Sequence, residues 1–284
     1  MALFSDILLT ADFDRTLTAP DSTVPERNIE AIRYFMENGG AFTVNTGRSL
    51  AMSQKFLQQV PVNAPLLLFN GSAAYDLEKG EFSFCHLIDL DMADTVRFAM
   101  EHFPDMITEI QGAQAHYTFI ENPVWHFFNE KNGCRGQVVT PGDDIGPFIK
   151  MCVYGPLQNG TVSGLFTGTE QEVRRCDEAE ALLREAFGEK MTILRVAPRI
   201  IDLQAPGVSK GKAARELLEK LGRKILVCVG DERNDLTMMD EGDYSYCPAD
   251  GAIADRYETV CPCADGAVAD VIYKKIPEIL ENQP

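Results

Sequence analysis

Residues 6–16 read DILLTADFDRT, an apolar run that ends on two acids, Asp12 and Asp14, set two apart. The run is short, sits close to the start of the chain and reads as a first strand. Working outward, residues 24–40 (VPERNIEAIRYFMENGG) place Ile29, Ile32, Phe35 and Met36 at helical spacing and stop at Gly39-Gly40. AFTVNTGR (41–48) is a strand running into a glycine turn. SLAMSQKFLQQV (49–60) is helical with Ser49 as its cap, and PLLLFNGSAAYD (65–76) is an apolar run broken by Asn70-Gly71. This β-α-β-α-β order predicts a parallel, doubly wound sheet.

The last third repeats the pattern. SKGKAARELLEKLG (209–222) is a helix, and KILVCVGDERND (224–235) is a second apolar run ending in acids. DYSYCPA (243–249) and ETVCPCADG (258–266) read as short strands, and AVADVIYKKIPEIL (267–280) as a closing helix. The middle differs. It holds helices at 90–103, 124–133 and 170–188 and strands at 115–120, 147–155, 190–196 and 199–206, with the Gly/Pro/Asp-rich VVTPGDDIGP (138–147) between its halves. The expected fold is therefore α/β: a Rossmann-like, doubly wound parallel-sheet core (1–85 and 201–284) with an inserted α/β module (86–200).

Composition narrows the function. The chain has 284 residues, 45% of them hydrophobic, enough for a sizeable core. Its formal charge of −17 argues against nucleic acid and anionic membranes as partners. A small anionic substrate stays open, because local cations or a metal can reverse the field in one cleft. No apolar run is long enough to span a membrane, and the N-terminus lacks the basic region and cleavage site of a signal peptide. The eight cysteines are irregularly spaced without a CxxC pair, and the CPC at 261–263 has no second cluster to support a metal site. They read as reduced, mostly buried thiols of a cytoplasmic protein. The four histidines are too scattered for a zinc site.

Ligands of open parallel sheets bind at the carboxyl ends of the strands. Three of the predicted strands end in polar clusters: Asp12 and Asp14; Thr46, Gly47 and Arg48; and Asp231, Asn234 and Asp235. In extended chain, residues two apart point the same way, so Asp12 and Asp14 are expected to face one cleft. Their repulsion is resolved by a hard divalent cation, to which Asp231 adds a third carboxylate. A helical turn aligns Asp231 with Asp235.

The same residues resemble a family. DFDRT (12–16) matches the DxDxT signature of the haloacid dehalogenase-like phosphatases. VNTGRS, GVSKGKA and VGDERNDLTMM resemble their second, third and fourth motifs, in order. The size and position of the insert, and FNGS (69–72), are similar to the Cof-type branch, subfamily IIB. The resemblance implies Asp12 as the nucleophile that forms an aspartyl-phosphate, and Asp14 as the acid and base. It implies Mg²⁺ held by Asp12, the Asp14 carbonyl and Asp231, with Asp235 as an outer or additional partner. Thr46 and Gly47 would bind phosphoryl oxygens, and Lys210 would offset the charge around Asp12. The implied substrate is a small phosphorylated metabolite, a sugar phosphate first, and the insert would act as a specificity cap. A second acid beside the nucleophile favours phosphoryl transfer over dehalogenation, since a halide needs no proton.

Other residues carry two readings. Arg48 is a substrate contact or a solvated arginine at a helix start. Asn70 orders the site or makes a turn before Gly71. Asn234 bonds near phosphate or braces its loop. Trp125, His126, Phe127 and Phe128 line a pocket or fill a core, and core is the commoner use. Lys212 reads as a surface lysine, and Met238 and Met239 as packing. Arg15 departs from the family, which has glycine there, and is expected to point out of the loop and pair with an acid or reach the cleft rim. The alternatives are a phosphosugar mutase, a DxD nucleotide-sugar glycosyltransferase, and a non-catalytic phosphosugar-binding regulator. The substrate itself, the oligomeric state and the physiological divalent metal are not written in the sequence.

Overall fold

A computed structural model describes residues 2–155 and 167–281. Residues 156–166 of the expected insert lie outside the described residues, as does Met1 of the expected first strand region. The strands are β1 (Ile7–Ala11), β2 (Ala41–Val44), β3 (Leu66–Leu68), β4 (Ala73–Asp76), β5 (Glu81–Cys85), β6 (Ile107–Gln111), β7 (His116–Thr118), β8 (Gly136–Val138), β9 (Lys150–Tyr154), β10 (Thr192–Ala197), β11 (Ile200–Gln204), β12 (Ile225–Val229), β13 (Tyr244–Pro248) and β14 (Glu258–Val260). The helices used below are α1 (Glu26–Glu37), α2 (Leu50–Leu57), α3 (Met92–His102), α4 (Pro123–Lys131), α5 (Glu170–Phe187), α6 (Lys210–Lys220) and α7 (Leu236–Glu241). Among the described residues no helix is long and apolar enough to cross a membrane.

The chain divides into two compact units. One comprises Met1–Gly47, Phe56–Phe84 and Ser209–Pro284; the other comprises Arg48–Lys55 and Cys85–Val208. The first unit is built on a parallel sheet in the order β14-β13-β12-β1-β2. β1 and β12 sit inside that sheet and are buried along their whole length, which is why both read as continuous apolar runs. Leu8, Leu226 and Cys228 pack under Ala213, Ala214 and Leu217 of α6 and Met238 and Met239 of α7. The two methionines are packing residues, as their sequence reads, and Lys212 is exposed.

The run at 65–76 is broken at Asn70-Gly71, as its sequence reads. Asn70 (φ +54) and Gly71 (φ +93) fold it into a hairpin of β3 and β4, which joins β5 in a small separate sheet. A bridge between Asn45 and Leu67 continues the parallel order.

The second unit holds a six-stranded sheet in the order β10-β11-β9-β6-β7-β8, antiparallel except for β7 beside β8. It runs through Val208, so β11 belongs to this sheet and not to the core, where a border at 200/201 puts it. One face (Ile110, Met151, Val153, Ile201, Leu203) packs on α3 and α5 through Val96, Ala99, Cys176, Ala179 and Leu183. The other face is polar and nevertheless buried: Glu109, Gln111, His116, Lys150, Asp202 and Gln204 all point to it. Trp125 and Phe128 of α4 cover part of that face with Met52 of α2, while Phe127 is exposed and His126 half-buried. The aromatic cluster is thus divided between core and surface. All eight cysteines are free thiols.

Candidate active site

Parallel strands bring their carboxyl ends to one edge of the sheet. The pairs Ala11–Val229 and Ala11–Val44 set β1, β12 and β2 level, and the next residues are Asp12, Gly230 and Asn45. The ladder continues for one step: Asp12 N–H donates to Val229 O (2.9 Å) and Asn45 N–H to Ala11 O (2.9 Å). Asp12 therefore starts its loop from a fixed position.

Lys210 opens α6, whose cap is Ser209. Its ammonium is fully buried and donates to Asp12 Oδ1 and to Asp235 Oδ1, both at 2.6 Å. Asn45 Nδ2 donates to Lys210 O (2.9 Å) and so ties the start of α6 to the end of β2. Asp235 folds back within its own turn. Its Oδ2 accepts the backbone N–H groups of Asp231 (3.0 Å) and Glu232 (3.1 Å). A side chain at position 230 would meet Asp235 Cβ at 2.7 Å, so the turn closes only with glycine there. Thr16 donates its hydroxyl to Asp231 Oδ1 (2.8 Å).

Oxygens of Asp12, Asp231 and Asp235 lie within 4.8 Å of one another. Three buried carboxylates against one ammonium leave the cluster two charges negative when all are ionised. Burial, with repulsion from Asp235, Asp231 and Asp14, holds the Asp12 carboxyl well above its usual range despite Lys210. Burial and Asp235 likewise push Asp231 up to about 7, against the Thr16 hydrogen bond and Lys210. For Lys210, burial disfavours the charge, but Asp12 and Asp235 outweigh it, and the ammonium is held above its ordinary range. An all-oxygen, anionic donor set of this kind fits a hard divalent cation.

Thr46 and Asn70 are buried and Gly47 half-buried in the same unit. Asn70 N–H donates to Thr46 O (3.1 Å), and Thr46 N–H to Leu67 O (2.9 Å). A Cβ at Gly47 would lie 2.6 Å from Asn70 Oδ1. Asn70 therefore packs directly on the Thr46–Gly47 turn, which combines its two sequence readings. Asn234 is half-buried on the Asp235 turn. Arg48 is the first residue of the second unit and is half-buried there.

The strand ends at Ala11, Phe13 turns inward, and Asp14 is exposed while Asp12 is buried. Arg15 occupies the left-handed region (φ +63, ψ 6), the conformation for which glycine is suited, and its side chain is exposed. Its N–H donates to Thr18 Oγ1 (3.1 Å). Burial raises the Asp250 carboxyl, but hydrogen bonds from Cys263 and the charge of Arg15 bring it below its usual range, so Arg15 has an acid nearby. Left-handed backbone costs a non-glycine residue about 1–2 kcal/mol, and glycine returns part of that as unfolded-state entropy. Arg15→Gly is accordingly expected to raise stability by about 1 kcal/mol in urea unfolding. A loss of stability instead would show that the side chain's contact with the Asp250 loop outweighs the backbone strain.

Thr16, Asn45 and Gly230 belong to the site but were not among its sequence candidates. Thr16 closes the DxDxT signature and Gly230 opens GDxxND, so both had a signal; Asn45 had only its place before Thr46.

A family model for haloacid dehalogenase-like hydrolases matches residues 9–253. An HMP-PP phosphatase of Escherichia coli is 26% identical over 242 residues, covering 82% of this chain and 80% of that one. A 5-amino-6-(5-phospho-D-ribitylamino)uracil phosphatase of Bacillus subtilis is 22% identical over 240 residues, covering 82% and 83%. Among solved structures, a haloacid dehalogenase-like hydrolase from Bacteroides thetaiotaomicron superposes with a TM-score of 0.78 at 17% identity over 94% of this chain and 98% of that one. A subclass IIB sugar phosphatase superposes with 0.76 at 18% identity over 96% and 99%. With the family model spanning both acidic clusters and the lysine that joins them, the chain belongs to the haloacid dehalogenase-like hydrolase family.

Proposed function

We propose that the chain is a Mg²⁺-dependent phosphatase of small phosphorylated metabolites that works through an aspartyl-phosphate. The observation that carries the reading is Lys210, whose single ammonium holds Asp12 by Oδ1 and Asp235 by Oδ1. Lys210 orients Asp12 and leaves Oδ2 to attack phosphorus. The new O–P bond forms as the bond to the leaving oxygen breaks, and Asp14 gives that oxygen its proton. Asp14 then takes a proton from water as the water attacks phosphorus, releasing phosphate and regenerating Asp12. The exposure of Asp14 suits a group that must exchange its proton with substrate and water. Thr46 and the Gly47 backbone would hold the phosphoryl oxygens, positioned by Asn70.

Asp12 and Asp231 would hold the cation, together with the Asp14 carbonyl. When bound, it supplies positive charge against the phosphoryl oxygens. Both oxygens of Asp235 already accept from Lys210 and from two backbone N–H groups, so its work is to fix Lys210 and the Asp231 turn. The parallel-sheet unit would be the catalytic core and the antiparallel unit the cap that selects the substrate. The named substrates of the relatives, HMP-PP and a phosphoribityl compound, and the sugar phosphatase among the structures favour compact phosphorylated metabolites, sugar phosphates first. The test is hydrolysis of a generic aryl phosphate with Mg²⁺ and with chelator, wild type beside Asp12→Asn, followed by a panel of phosphorylated metabolites ranked by kcat/KM. Equal rates with and without Asp12 would refute the assignment.

A further inference from the structure

Arg15 directly follows Asp14 and takes no part in the chemistry above. Its backbone lies in the left-handed region (φ +63, ψ 6), and its side chain is exposed. A residue with a Cβ is strained there, whereas glycine adopts the same conformation freely. The hydrogen bond from its N–H to Thr18 Oγ1 (3.1 Å) belongs to the backbone, and glycine would make it equally well. Among the described residues the guanidinium makes no hydrogen bond and no ion pair. The strain thus has no evident return in the folded chain. Strained residues of this kind cluster where a side chain serves function and not folding.

The Arg15 charge is felt by Asp250 and by Cys263. Neither takes up the guanidinium. Asp250 Oδ1 accepts the Cys263 N–H (2.9 Å), and its Oδ2 accepts the Cys263 thiol (3.2 Å). Asp250 and Gly251 follow β13 at the carboxyl edge of the parallel sheet, the edge that also carries Asp12. A Cβ at Gly251 would lie 3.1 Å from Asp231 Cβ, and the Ile253 N–H donates to Asp231 O (3.3 Å). The loop that feels Arg15 is therefore packed against a carboxylate of the acidic cluster. Arg15, Asp250, Asp231 and Asp12 all belong to the first compact unit. A planar cation thus stands open to solvent on the edge that presents Asp12, with its fork of donors uncommitted.

We infer that Arg15 is a specificity residue: its guanidinium takes a second anionic group, a carboxylate or a phosphate, on a substrate whose scissile phosphoryl group meets Asp12. This rests on the reading of Asp12 as the centre of a phosphatase site. A guanidinium pairs with either oxyanion through two parallel N–H donors. The acidic cluster makes the pairing selective. Three carboxylates beside one ammonium repel any further negative charge that a substrate brings. A cation on the rim offsets that repulsion for a substrate with two anionic groups and gives an uncharged leaving group nothing. Glycine at position 15 would leave such substrates disfavoured. The favoured substrates are accordingly phosphorylated sugar acids or sugar bisphosphates.

Matched substrates test it on the full-length chain with Mg²⁺. 6-Phosphogluconate and glucitol 6-phosphate differ by a carboxylate, and fructose 1,6-bisphosphate and fructose 6-phosphate by a phosphate. The readout is the ratio of kcat/KM within each pair for wild type, Arg15→Gly and Arg15→Lys. Wild type is expected to favour the doubly anionic member of at least one pair about tenfold, and which pair tells carboxylate from phosphate. Arg15→Gly is expected to lose that factor, mostly through KM, and Arg15→Lys to recover part of it, since it keeps the charge without the planar fork. Arg15→Gly relieves backbone strain, so its loss of selectivity is not a loss of structure. Titration calorimetry with 3-phosphonopropionate and propylphosphonate makes the same comparison without turnover. No preference in wild type by either measurement overturns the inference, as does a preference that survives in Arg15→Gly. Hydrolysis of the esters without discrimination refutes the role of Arg15 and leaves the phosphatase reading standing. A wild type that hydrolyses none of them, but binds phosphonopropionate more tightly than propylphosphonate and loses that preference in Arg15→Gly, supports the specificity role while refuting the phosphatase reading.

Discussion

Asp12→Asn is expected to lower kcat/KM for aryl phosphate hydrolysis by roughly ten-thousand-fold or more, the scale seen when a covalent nucleophile is removed. The substitution preserves shape but replaces the proposed attacking carboxylate with an amide. Its effect on folding is expected to run the other way. One of three mutually repelling buried carboxylates disappears, and Lys210 still has Asp235. The variant is therefore expected to unfold no earlier than wild type when Mg²⁺ is absent. Steady-state kinetics and calorimetry on the same preparation separate the two effects. Retained turnover would dismiss Asp12 as nucleophile, and parallel loss of activity and stability would mean that Asp12 is chiefly structural.

Lys210→Met should show the largest effect on stability. The ammonium is fully buried between Asp12 and Asp235, and methionine fills similar volume without charge. Removing one partner of a buried ion pair leaves the others uncompensated, at a cost of about 3–5 kcal/mol. For a chain of this size that corresponds to a midpoint lower by about 10 °C. Adding Asp235→Asn to Lys210→Met is expected to restore more than half of the loss, because the unpaired charge goes with it. No change in midpoint for Lys210→Met would contradict the geometry, as would a double variant worse than the single one. Activity is expected to fall in both variants, since Asp12 loses the group that orients it.

How far these residues could be read from the chain depends on how local their signal is. β1 and β12 are strands buried on both faces, so each reads as an unbroken apolar run, and the acids that follow stand out. The helices α1 and α6 carry clear periodicity and stops. β6 did not, because it is buried on both faces and one of them carries Glu109 and Gln111, polar residues that suppress the apolar run expected of a buried strand. The break at Asn70-Gly71 was legible, but the antiparallel pairing it sets up between β3 and β4 was not. For Asp14 the strand alternation was carried three residues past the end of the strand at Ala11. Arg15 went against its residue type, because the loop demands a left-handed conformation whatever stands there. His116 Nε2 lies 2.7 Å from Ser49 Oγ, a contact between residues 67 positions apart that no local pattern encodes.

The excess of negative charge around Lys210 has a consequence for proton exchange with the solution. With Asp231 pushed up to about 7, the folded protein without a cation keeps a proton that the unfolded chain gives up near the ordinary aspartate range. Stability is then greatest below that range and declines as pH rises from about 4 through about 7. A cation held by these carboxylates would need them ionised, so below about pH 7 each ion taken up would expel at least one proton. Because Asp12 is also held above its usual range, titration of Mg²⁺ at pH 6 in buffers of different ionisation enthalpy is expected to reveal at least one proton released per ion, falling as pH rises. A release independent of pH would place the titrating group elsewhere. With the proposed cation, the acidic cluster would make the fold a meter of both ions at once: protons would stabilise it in acid, the divalent cation would take their place near neutrality, and the two would compete for the same carboxylates.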